Sequence, residues 1–510
     1  MHILIINLTR FGDLLQTQPL ISAMHNQGHL VSLVCLDTFQ GTTALLRDVH
    51  QVCALPGARL LARLEQHWSW ALHDVLDWAR QTLGSVPDRI INITPTLAAR
   101  LLGRALGQGA DGGFGLDEHG FGQYSTPWAA FLQAASTYRG CSPFNLVDLF
   151  QRVAGCLPGP FALRQSEPDH VLQARAMLPD APGYVAFQLG ASQDYRRWPV
   201  SAFVQVGREI WTQTGHAPVL LGTATERPLG EEFVRLAGYP CVNLMGQTGL
   251  PMLAAVLGQM KMLLTNDTGT MHLAAGLGVP VVAIFLATAQ PFDTGPYLAD
   301  SISLEPDLAC HPCSFGQKCP YNLACRDHIR PHEVGALIAR FLTAQTWIVP
   351  DRIGARVWQA SHDPDGFMNL RQLGVQTQSE RWQWIQVQRL GYRQFLDHRA
   401  MQRCTQFSWS CSPFAEELRA DIRRAQGKLA VVTEQARILS QGPHPMIQKK
   451  FLLTYQQLHD IFQSSSNLGV LAHLWQYQSQ DAGRSMEEFV LLCEYYQKLC
   501  SFFEQSMAVA

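Results

Sequence analysis

A carboxylate, a hydroxyl and a glycine follow one another in the segment TNDTGTMHLAAGLGVPVVAIF, which covers residues 265–285. The pattern predicts a buried strand that ends near 264, a helix over 270–277 and a second strand over 281–285. In such a unit the free backbone N–H groups and the helix dipole attract anions. Thr268 and Gly269 are therefore candidates to bind phosphate oxygens. The open alternative is that Asp267 caps the helix while Gly269 eases the turn.

A second group of candidates follows the strand-like run YVAFQLG, in the segment FQLGASQDYRRWPVSAF. Gly190 and Ser192 are small enough to let a ligand approach the backbone. Arg196 can neutralise a diphosphate leaving group as a sugar bond breaks. A solvated arginine pair before a helix that starts at Pro199 is the alternative.

Two further side chains could complete a nucleotide site. Glu226, in VLLGTATERPLGEEF, can accept the hydroxyls of a ribose, although such a carboxylate is more often a helix-start charge. His272 lies one helical turn after Thr268 and reaches the same helix mouth. It is either a structural histidine or a contact to a ligand or acceptor.

The first strand is followed by a candidate general base. In NLTRFGDLLQTQPLISAM, Gly12 and Asp13 open a helix directly after that strand. A carboxylate in this position can accept a proton from a substrate hydroxyl, whereas a helix N-cap explains it as well. Arg10 can pair with Asp13 or with an anionic substrate group.

Four cysteines cluster in CHPCSFGQKCPYNLAC, at Cys310, Cys313, Cys319 and Cys325. Four soft ligands at short range could hold Zn²⁺ or an iron–sulfur cluster in a structural role. The second pair lacks the CxxC spacing of the first, and a loop of reduced or partly oxidised thiols is the alternative.

Composition narrows the class of protein. The chain has 510 residues and a formal net charge of −2, without long basic runs, which argues against a nucleic-acid-binding protein. No apolar stretch reaches about 18 residues, and no basic region precedes the run ILIINL. Thirteen cysteines, an odd number, favour reduced thiols. We therefore expect a cytoplasmic protein, with peripheral contact to a membrane left open.

The order of the predicted elements indicates three domains. Strand-like and helical stretches alternate over the first 100 residues and again from about 183, which is typical of doubly wound α/β sheets. The Gly-rich stretch 105–127 predicts a mobile loop near a ligand cleft. From about 350 the pattern becomes helical and rich in Gln. The predicted domains are 1–165, 166–348 and a helical extension over 349–510.

Five segments in this order resemble glycosyltransferase family 9, the lipopolysaccharide heptosyltransferases, over about residues 1–345: RFGDLLQTQPLI, ASQDYRRWP, GTATE, NDTGTMHLAAGLGVPVVAIF and the CxPC-type cluster. The resemblance implies the GT-B fold, in which two Rossmann-like domains face each other across a cleft, with the acceptor bound mainly by the first and the sugar nucleotide by the second. It implies that Asp13 is the catalytic base, with Arg10 and Gly12 as acceptor or phosphate contacts. The implied donor site consists of Ser192, Arg196, Glu226, Asp267, Thr268, Gly269 and His272.

The chain departs from the family pattern in three places. The family usually has Lys where this chain has Arg196, which keeps the charge but changes the geometry. After VVAIF the family usually continues with Gly-Pro-Thr, whereas Leu286 and Ala287 precede Thr288 here. The helical extension lies outside the resemblance, and its role is not implied by it.

The activity implied is inverting transfer of a sugar, by resemblance heptose from ADP-heptose, to a hydroxyl of a glycan or lipid-linked acceptor. Such a displacement needs one base and a stabilised diphosphate, and no cofactor. By resemblance the reaction takes place in the cytoplasm, at the inner face of the inner membrane. Two other functions fit the same pattern: a sugar-nucleotide epimerase, or a noncatalytic sugar-nucleotide-binding protein whose helical part is an interaction module.

Overall fold

A computed structural model describes residues 1–107, 112–137, 142–374, 379–407, 409, 411–482 and 485–508. They divide into two compact units. The larger unit comprises residues 1–110 and 145–376, and the smaller unit comprises 111–144 and 377–510. The division differs from the predicted boundaries, because the segment 111–144 groups with the C-terminal helices.

The strands are β1 (His2–Ile6), β2 (Leu30–Leu36), β3 (Gln51–Leu55), β4 (Arg89–Asn92), β5 (Gly112–Leu116), β6 (Gly122–Tyr124), β7 (Tyr184–Gln188), β8 (Ala217–Leu221), β9 (Val242–Asn243), β10 (Met262–Asn266), β11 (Val281–Ile284), β12 (Ile302–Pro306), β13 (Ala355–His362) and β14 (Met368–Leu373). The α-helices of the larger unit are α1 (Phe11–Leu15), α2 (Gln18–Asn26), α3 (Gly57–Gln66), α4 (Trp68–Leu83), α5 (Leu97–Leu106), α7 (Leu146–Val153), α8 (Pro168–Ala176), α9 (Val200–Thr214), α10 (Arg227–Ala237), α11 (Leu250–Leu257), α12 (Gly269–Gly276), α13 (Pro291–Thr294), α14 (Cys325–His328) and α15 (Pro331–Ala344). The smaller unit contains α6 (Pro127–Thr137). The smaller unit continues with α16 (Glu380–Leu396), α17 (Pro413–Ser440), α18 (Pro445–Ser464), α19 (Gly469–Ala482) and α20 (Met486–Ser506). Short 3-10 helices cover Asp37–Leu45, Asp194–Arg196 and Ala224–Glu226.

The first half of the larger unit is a parallel α/β sheet in the order β3-β2-β1-β4. Its strands are apolar runs because helices cover both faces of such a sheet. Leu4, Ile6, Val34, Cys53 and Ile90 are buried in one core cluster on this sheet.

The second half contains an eight-stranded sheet in the order β14-β13-β12-β11-β10-β7-β8-β9. The strands from β7 to β12 pair in parallel, and β13 and β14 are antiparallel additions at the edge. Parallel strands end at a common edge, so the turns after β7, β8, β10 and β11 lie on the same side of the sheet. The alternation of strands and helices that the sequence predicts is confirmed.

The structure corrects the predicted start of the all-helical extension. Residues 355–373 form β13 and β14, and the described helices of the C-terminal part begin with α16 at Glu380. β13 lies between β12 and β14 and is mostly buried, with Val357 and Trp358 buried in succession. The sequence pattern did not indicate these two strands.

The predicted mobile loop 105–127 is partly a β-hairpin. Residues 112–116 and 122–124 form the antiparallel pair β5–β6, and Asp117 Oδ1 accepts hydrogen bonds from the N–H groups of His119 and Phe121 in the turn. Gly120 adopts φ +86°, which glycine permits without strain. Residues 108–111 of the predicted loop lie outside the described part of the chain.

The smaller unit has an aromatic core of its own. Trp384, Tyr392, Trp475, Tyr496 and Phe503 are buried in it. The Trp384 ring packs edge-on against Phe503 at 4.9 Å, and the Trp475 ring packs against Tyr496 at 5.0 Å. These helices therefore bury their recurrent aromatic residues against one another. Among the described residues, no helix combines the length and the apolar character that a membrane crossing requires.

Candidate functional site

The turn after β10 has the predicted strand-turn-helix geometry. β10 ends at Asn266, Thr268 occupies the N-cap position of α12, and the helix starts at Gly269. The Thr268 side chain makes no capping hydrogen bond, and its Oγ1 lies 3.0 Å from Thr265 Oγ1. The first N–H groups of α12 therefore lie at the carboxyl edge of the sheet, where an anion is favoured.

Asn266 anchors this turn, and the sequence analysis did not single it out. Its side chain is fully buried. Its Nδ2 donates hydrogen bonds to the carbonyls of Leu189 at 2.9 Å and Gly190 at 3.0 Å, and its Oδ1 accepts one from Trp198 N–H at 3.0 Å. One amide thus joins the loop after β7 to the loop after β10. Its place at the end of a predicted buried strand could have indicated this role, because a buried polar side chain needs hydrogen-bond partners.

Arg196 pairs with Asp267, the residue after Asn266. Its Nη1 lies 3.7 Å from Asp267 Oδ2, and its Nε donates a 2.9 Å hydrogen bond to Thr288 Oγ1. The two charged side chains are 12% and 14% exposed. The guanidinium also lies over the Phe315 ring at 5.6 Å. Arg196 is thus held in one position beside the start of α12, and the open alternative of a solvated arginine pair does not describe it.

Glu226 has the role of a helix-start residue. It completes a capping box with Thr223, whose N–H donates a 2.7 Å hydrogen bond to Glu226 Oε2. Gln188 Nε2 donates to the same oxygen at 3.3 Å. A methyl group at Gly190 would overlap Glu226 Oε1, so only glycine leaves room for this carboxylate. The carboxylate lies between the ends of β7 and β8, and its contact with a ribose stays a prediction.

His272 is a buried side chain that links the two halves of the larger unit. Its Nε2 lies 3.4 Å from Gln16 Nε2, and its Nδ1 has no hydrogen-bond partner among the described residues. Burial lowers the pKa of His272 to about 4, so the ring is neutral at pH 7. A Cβ built at Gly12 would lie 3.0 Å from His272 Cδ2 and 3.2 Å from Gly269 Cα. Gly12 and Gly269 therefore let the starts of α1 and α12 touch.

Asp13 lies in the first turn of α1, next to that contact. The N-cap of α1 is Arg10, so Asp13 does not occupy the capping position that was its alternative role. The Asp13 carbonyl accepts hydrogen bonds from Asn7 Nδ2 at 3.3 Å and Thr17 Oγ1 at 3.2 Å. Asn7 and Thr17 are buried and bonded to each other at 2.6 Å. They hold the backbone of Asp13, although no sequence pattern indicated either residue.

The cysteine cluster lines one cavity of about 680 Å³ together with Tyr195 and Thr288. Its four cysteines are free thiols. Burial raises the pKa of Cys313 and of Cys325. Among the described residues, no group of three or more His, Cys, Asp or Glu side chains is arranged to hold a metal ion. The expected structural Zn²⁺ or iron–sulfur cluster is therefore not supported.

Ser192 and Arg10 are the predicted site residues with the fewest described contacts. Ser192 lies exposed in the loop after β7, two residues beyond Gly190. Arg10 is exposed at the start of α1.

The structure brings Gly12, Asp13, Gly269 and His272 together at the contact of α1 with α12. The Arg196 and Glu226 groups lie at the same sheet edge.

Comparison with solved structures identifies the class of fold. The Escherichia coli ADP-heptose lps heptosyltransferase II superposes with a TM-score of 0.50 at 17% identity, over 68% of this chain and 100% of that chain. At this identity the similarity establishes the fold alone. The two Rossmann-like halves of the larger unit have the GT-B fold.

Sequence comparison then shows which family the second half resembles. Residues 159–323 match the model of glycosyltransferase family 9 (heptosyltransferase). The lipooligosaccharide heptosyltransferase 2 of Haemophilus influenzae is 31% identical over 113 residues, which are 21% of this chain and 32% of that protein. The lipopolysaccharide heptosyltransferase 1 of Pseudomonas aeruginosa is 29% identical over 164 residues, 32% of this chain and 45% of that protein. The chain thus spans less than half the length of these curated relatives.

Proposed function

We propose that the protein is an inverting glycosyltransferase that moves heptose from ADP-heptose to a hydroxyl of a lipopolysaccharide-type acceptor. The observation that carries the proposal is the contact of α1 with α12 through Gly12, Gly269 and His272. It joins the first turn of a helix that bears a carboxylate, Asp13, to the anion-binding start of another helix. The family match of residues 159–323 and the names of the relatives support heptose and a lipopolysaccharide-type acceptor. The name of the Escherichia coli structure supports ADP-heptose as the donor.

In the proposed reaction, the Asp13 carboxylate accepts the proton of the acceptor hydroxyl. The hydroxyl oxygen forms the new bond to the anomeric carbon, and the bond from that carbon to the diphosphate oxygen breaks with its electron pair. A single displacement of this kind inverts the anomeric centre. It requires the base and the leaving group on opposite sides of the sugar.

The departing ADP carries the charge that the site must stabilise. The N–H groups at the start of α12 and the guanidinium of Arg196 supply this stabilisation. Arg196 Nε donates to Thr288, whereas its Nη1 lies 3.7 Å from Asp267 Oδ2, beyond hydrogen-bond distance, and can donate to a phosphate oxygen. The proposed chemistry uses no cofactor, because these groups and Asp13 account for each transfer of charge.

The remaining assignments belong to the same proposal. Residues 1–165 would bind the acceptor, 166–348 would bind the donor, and 349–510 carry no assigned role. Ser192, Glu226, Thr268 and His272 would contact the donor, and Arg10 would contact the acceptor or a phosphate. The reaction would take place in the cytoplasm at the inner face of the inner membrane, with peripheral contact to its lipids.

The test incubates the protein with ADP-heptose, alone and with lipopolysaccharide-core acceptors, and analyses the products by mass spectrometry and by the anomeric proton signal. The expected product is an acceptor heavier by one heptose, with inverted linkage and equimolar ADP. UDP-N-acetylglucosamine and GDP-mannose are the control donors. Conversion of ADP-heptose to an epimer without acceptor would identify an epimerase instead. Binding of ADP-heptose without any product would identify a noncatalytic binding protein.

A further inference from the structure

The segment that carries the four cysteines, residues 310–325, has no part in the proposed transfer, yet it lies beside the guanidinium of Arg196. We call this segment the cysteine loop. The ring of Phe315, in the middle of the loop, lies over the guanidinium with its centroid 5.6 Å from Arg196 Cζ. The loop also lines a cavity of about 680 Å³ together with Tyr195 and Thr288. One face of Arg196 is therefore covered by this loop.

A second contact of the cysteine loop holds the residue before Thr288. The N–H of Cys313 donates a 2.8 Å hydrogen bond to the carbonyl of Ala287. Ala287 has φ +54°, a left-handed conformation that is strained for a residue with a side chain and persists only where the surroundings fix it. Thr288 is 8% exposed. The loop therefore helps to fix the backbone that presents the Thr288 hydroxyl to Arg196.

The Thr288 hydroxyl accepts hydrogen bonds from two nitrogens of the same guanidinium. Arg196 Nε donates at 2.9 Å, and Arg196 Nη2 donates to the same oxygen. A guanidinium presents its N–H groups in a rigid plane, whereas the ammonium of lysine is a point charge on a flexible stem. Two contacts to one oxygen fix the direction of that plane. Thr288 can therefore orient an arginine in a way in which it cannot orient a lysine.

A third contact joins the short helix of Arg196 to the end of the cysteine loop. Asp194 begins this 3-10 helix, and its Oδ2 lies 3.8 Å from Nη1 of Arg326 in α14, which begins at Cys325. Asp194 is 66% exposed, and an ion pair of this kind contributes little free energy. The orientation of Arg196 therefore depends mainly on Thr288 and Phe315.

We propose that the cysteine loop is a clamp that fixes the orientation of Arg196, and that Thr288 and Phe315 are the positioning residues through which it acts. The inference rests on the proposed function, in which Arg196 stabilises the departing diphosphate. Two departures from the family pattern, the arginine itself and residues 286–287, meet in this clamp. An arginine that is already oriented loses less conformational freedom when phosphate oxygens bind, so the clamp increases the affinity for the diphosphate.

The test measures ADP binding by calorimetry, with adenosine as the probe that lacks the phosphates. Thr288→Val removes the hydroxyl and should weaken ADP binding about tenfold, the effect of one hydrogen bond to a charged group, without changing adenosine binding. Thr288→Ser keeps the hydroxyl and should recover most of the ADP affinity. Thr433→Val is the matched control, because Thr433 is 2% exposed and its hydroxyl donates to the Leu429 carbonyl in the smaller unit. Its ADP affinity should equal that of the wild type.

Two further comparisons test the orientation itself. Arg196→Lys keeps the charge but should weaken ADP binding about tenfold, and adding Thr288→Val should weaken it no further, because the hydroxyl has already lost its partner. Phe315→Leu removes the aromatic face and should weaken ADP binding about threefold, whereas Phe315→Tyr keeps that face and should not. Phe315 is 52% exposed, so its variants test the clamp even if Thr288→Val does not fold.

Wild-type ADP affinity in Thr288→Val and Phe315→Leu, or additive losses in the double variant, would overturn the inference. An equal loss of adenosine binding, or no recovery by Thr288→Ser, would assign the effect to damaged folding and would also overturn it. The expected ADP affinities in a protein that transfers no heptose would retain the clamp and refute the proposed function. Wild-type ADP affinity and transfer in every variant would do the reverse. A wild-type protein that binds no ADP would refute both.

Discussion

Gly269→Ala should open the contact between α1 and α12 and slow heptose transfer. A Cβ at residue 269 would overlap Phe11 Cδ1, lie 3.0 Å from Phe11 Cε1 and 3.4 Å from Gly12 N. Carbon atoms pack at about 3.5–4.0 Å, so the Phe11 ring or the whole of α1 must retreat by roughly 1 Å. A displacement of that size between reacting groups can cost about 100-fold in rate, and we expect transfer to fall by that factor.

The assay is initial-rate transfer from ADP-heptose, with circular dichroism to show that the fold is retained. Gly258→Ala is the control, because its Cβ would meet only Ala254 and Ala255 carbonyls at 3.5 Å, an ordinary contact. Phe11→Ala in the Gly269→Ala background removes the obstructing ring and should recover most of the lost rate. Near wild-type transfer by Gly269→Ala, or a double variant no faster than the single one, would refute the idea that this contact sets the geometry of the site.

Three further outcomes are expected. Asp13→Asn should retain ADP-heptose affinity by calorimetry but lose transfer by roughly 100-fold, the scale for a positioned base, and a near wild-type rate would assign the proton to another group. His272 has a folded-state pKa of about 4, below its usual 6.5, so protonation favours the unfolded chain and stability falls as pH drops from 6.5 to 4. Urea unfolding should show that the free energy of unfolding falls by about 3 kcal/mol over this range, a loss that His272→Gln lacks and that the exposed-site control His119→Gln retains. Identical pH profiles for the wild type and His272→Gln would contradict this burial effect. Asn266→Ala removes three buried hydrogen bonds and leaves Trp198 N–H unpaired, which should lower the free energy of unfolding by roughly 3 kcal/mol; a loss below about 1 kcal/mol would contradict its anchoring role.

Structural features that depend on a few neighbouring residues could be predicted from the sequence. The sequence places a strand to 264, a helix over 270–277 and a strand over 281–285, and the structure has β10 to Asn266, α12 from Gly269 to Gly276 and β11 from Val281 to Ile284. The periodicity of a buried strand and the small residues of a packed helix are local properties, so they can be seen without the fold. The antiparallel pair β13–β14 was not predictable in this way, because β13 is stabilised by pairing with β12, and β14 by pairing with β13, more than by their own composition.

The sequence by itself determined which chemical groups are present: a carboxylate after the first strand, an arginine after β7, and a turn from β10 into a helix whose first N–H groups favour an anion. Only the tertiary structure decided which of these groups meet. Gln16 and His272 are 256 positions apart, and Arg196 and Thr288 are 92 positions apart, yet each pair is in contact. Local propensity acts over a few residues, whereas these contacts arise when two sheets and their helices bury their apolar faces, and no short-range pattern records the result.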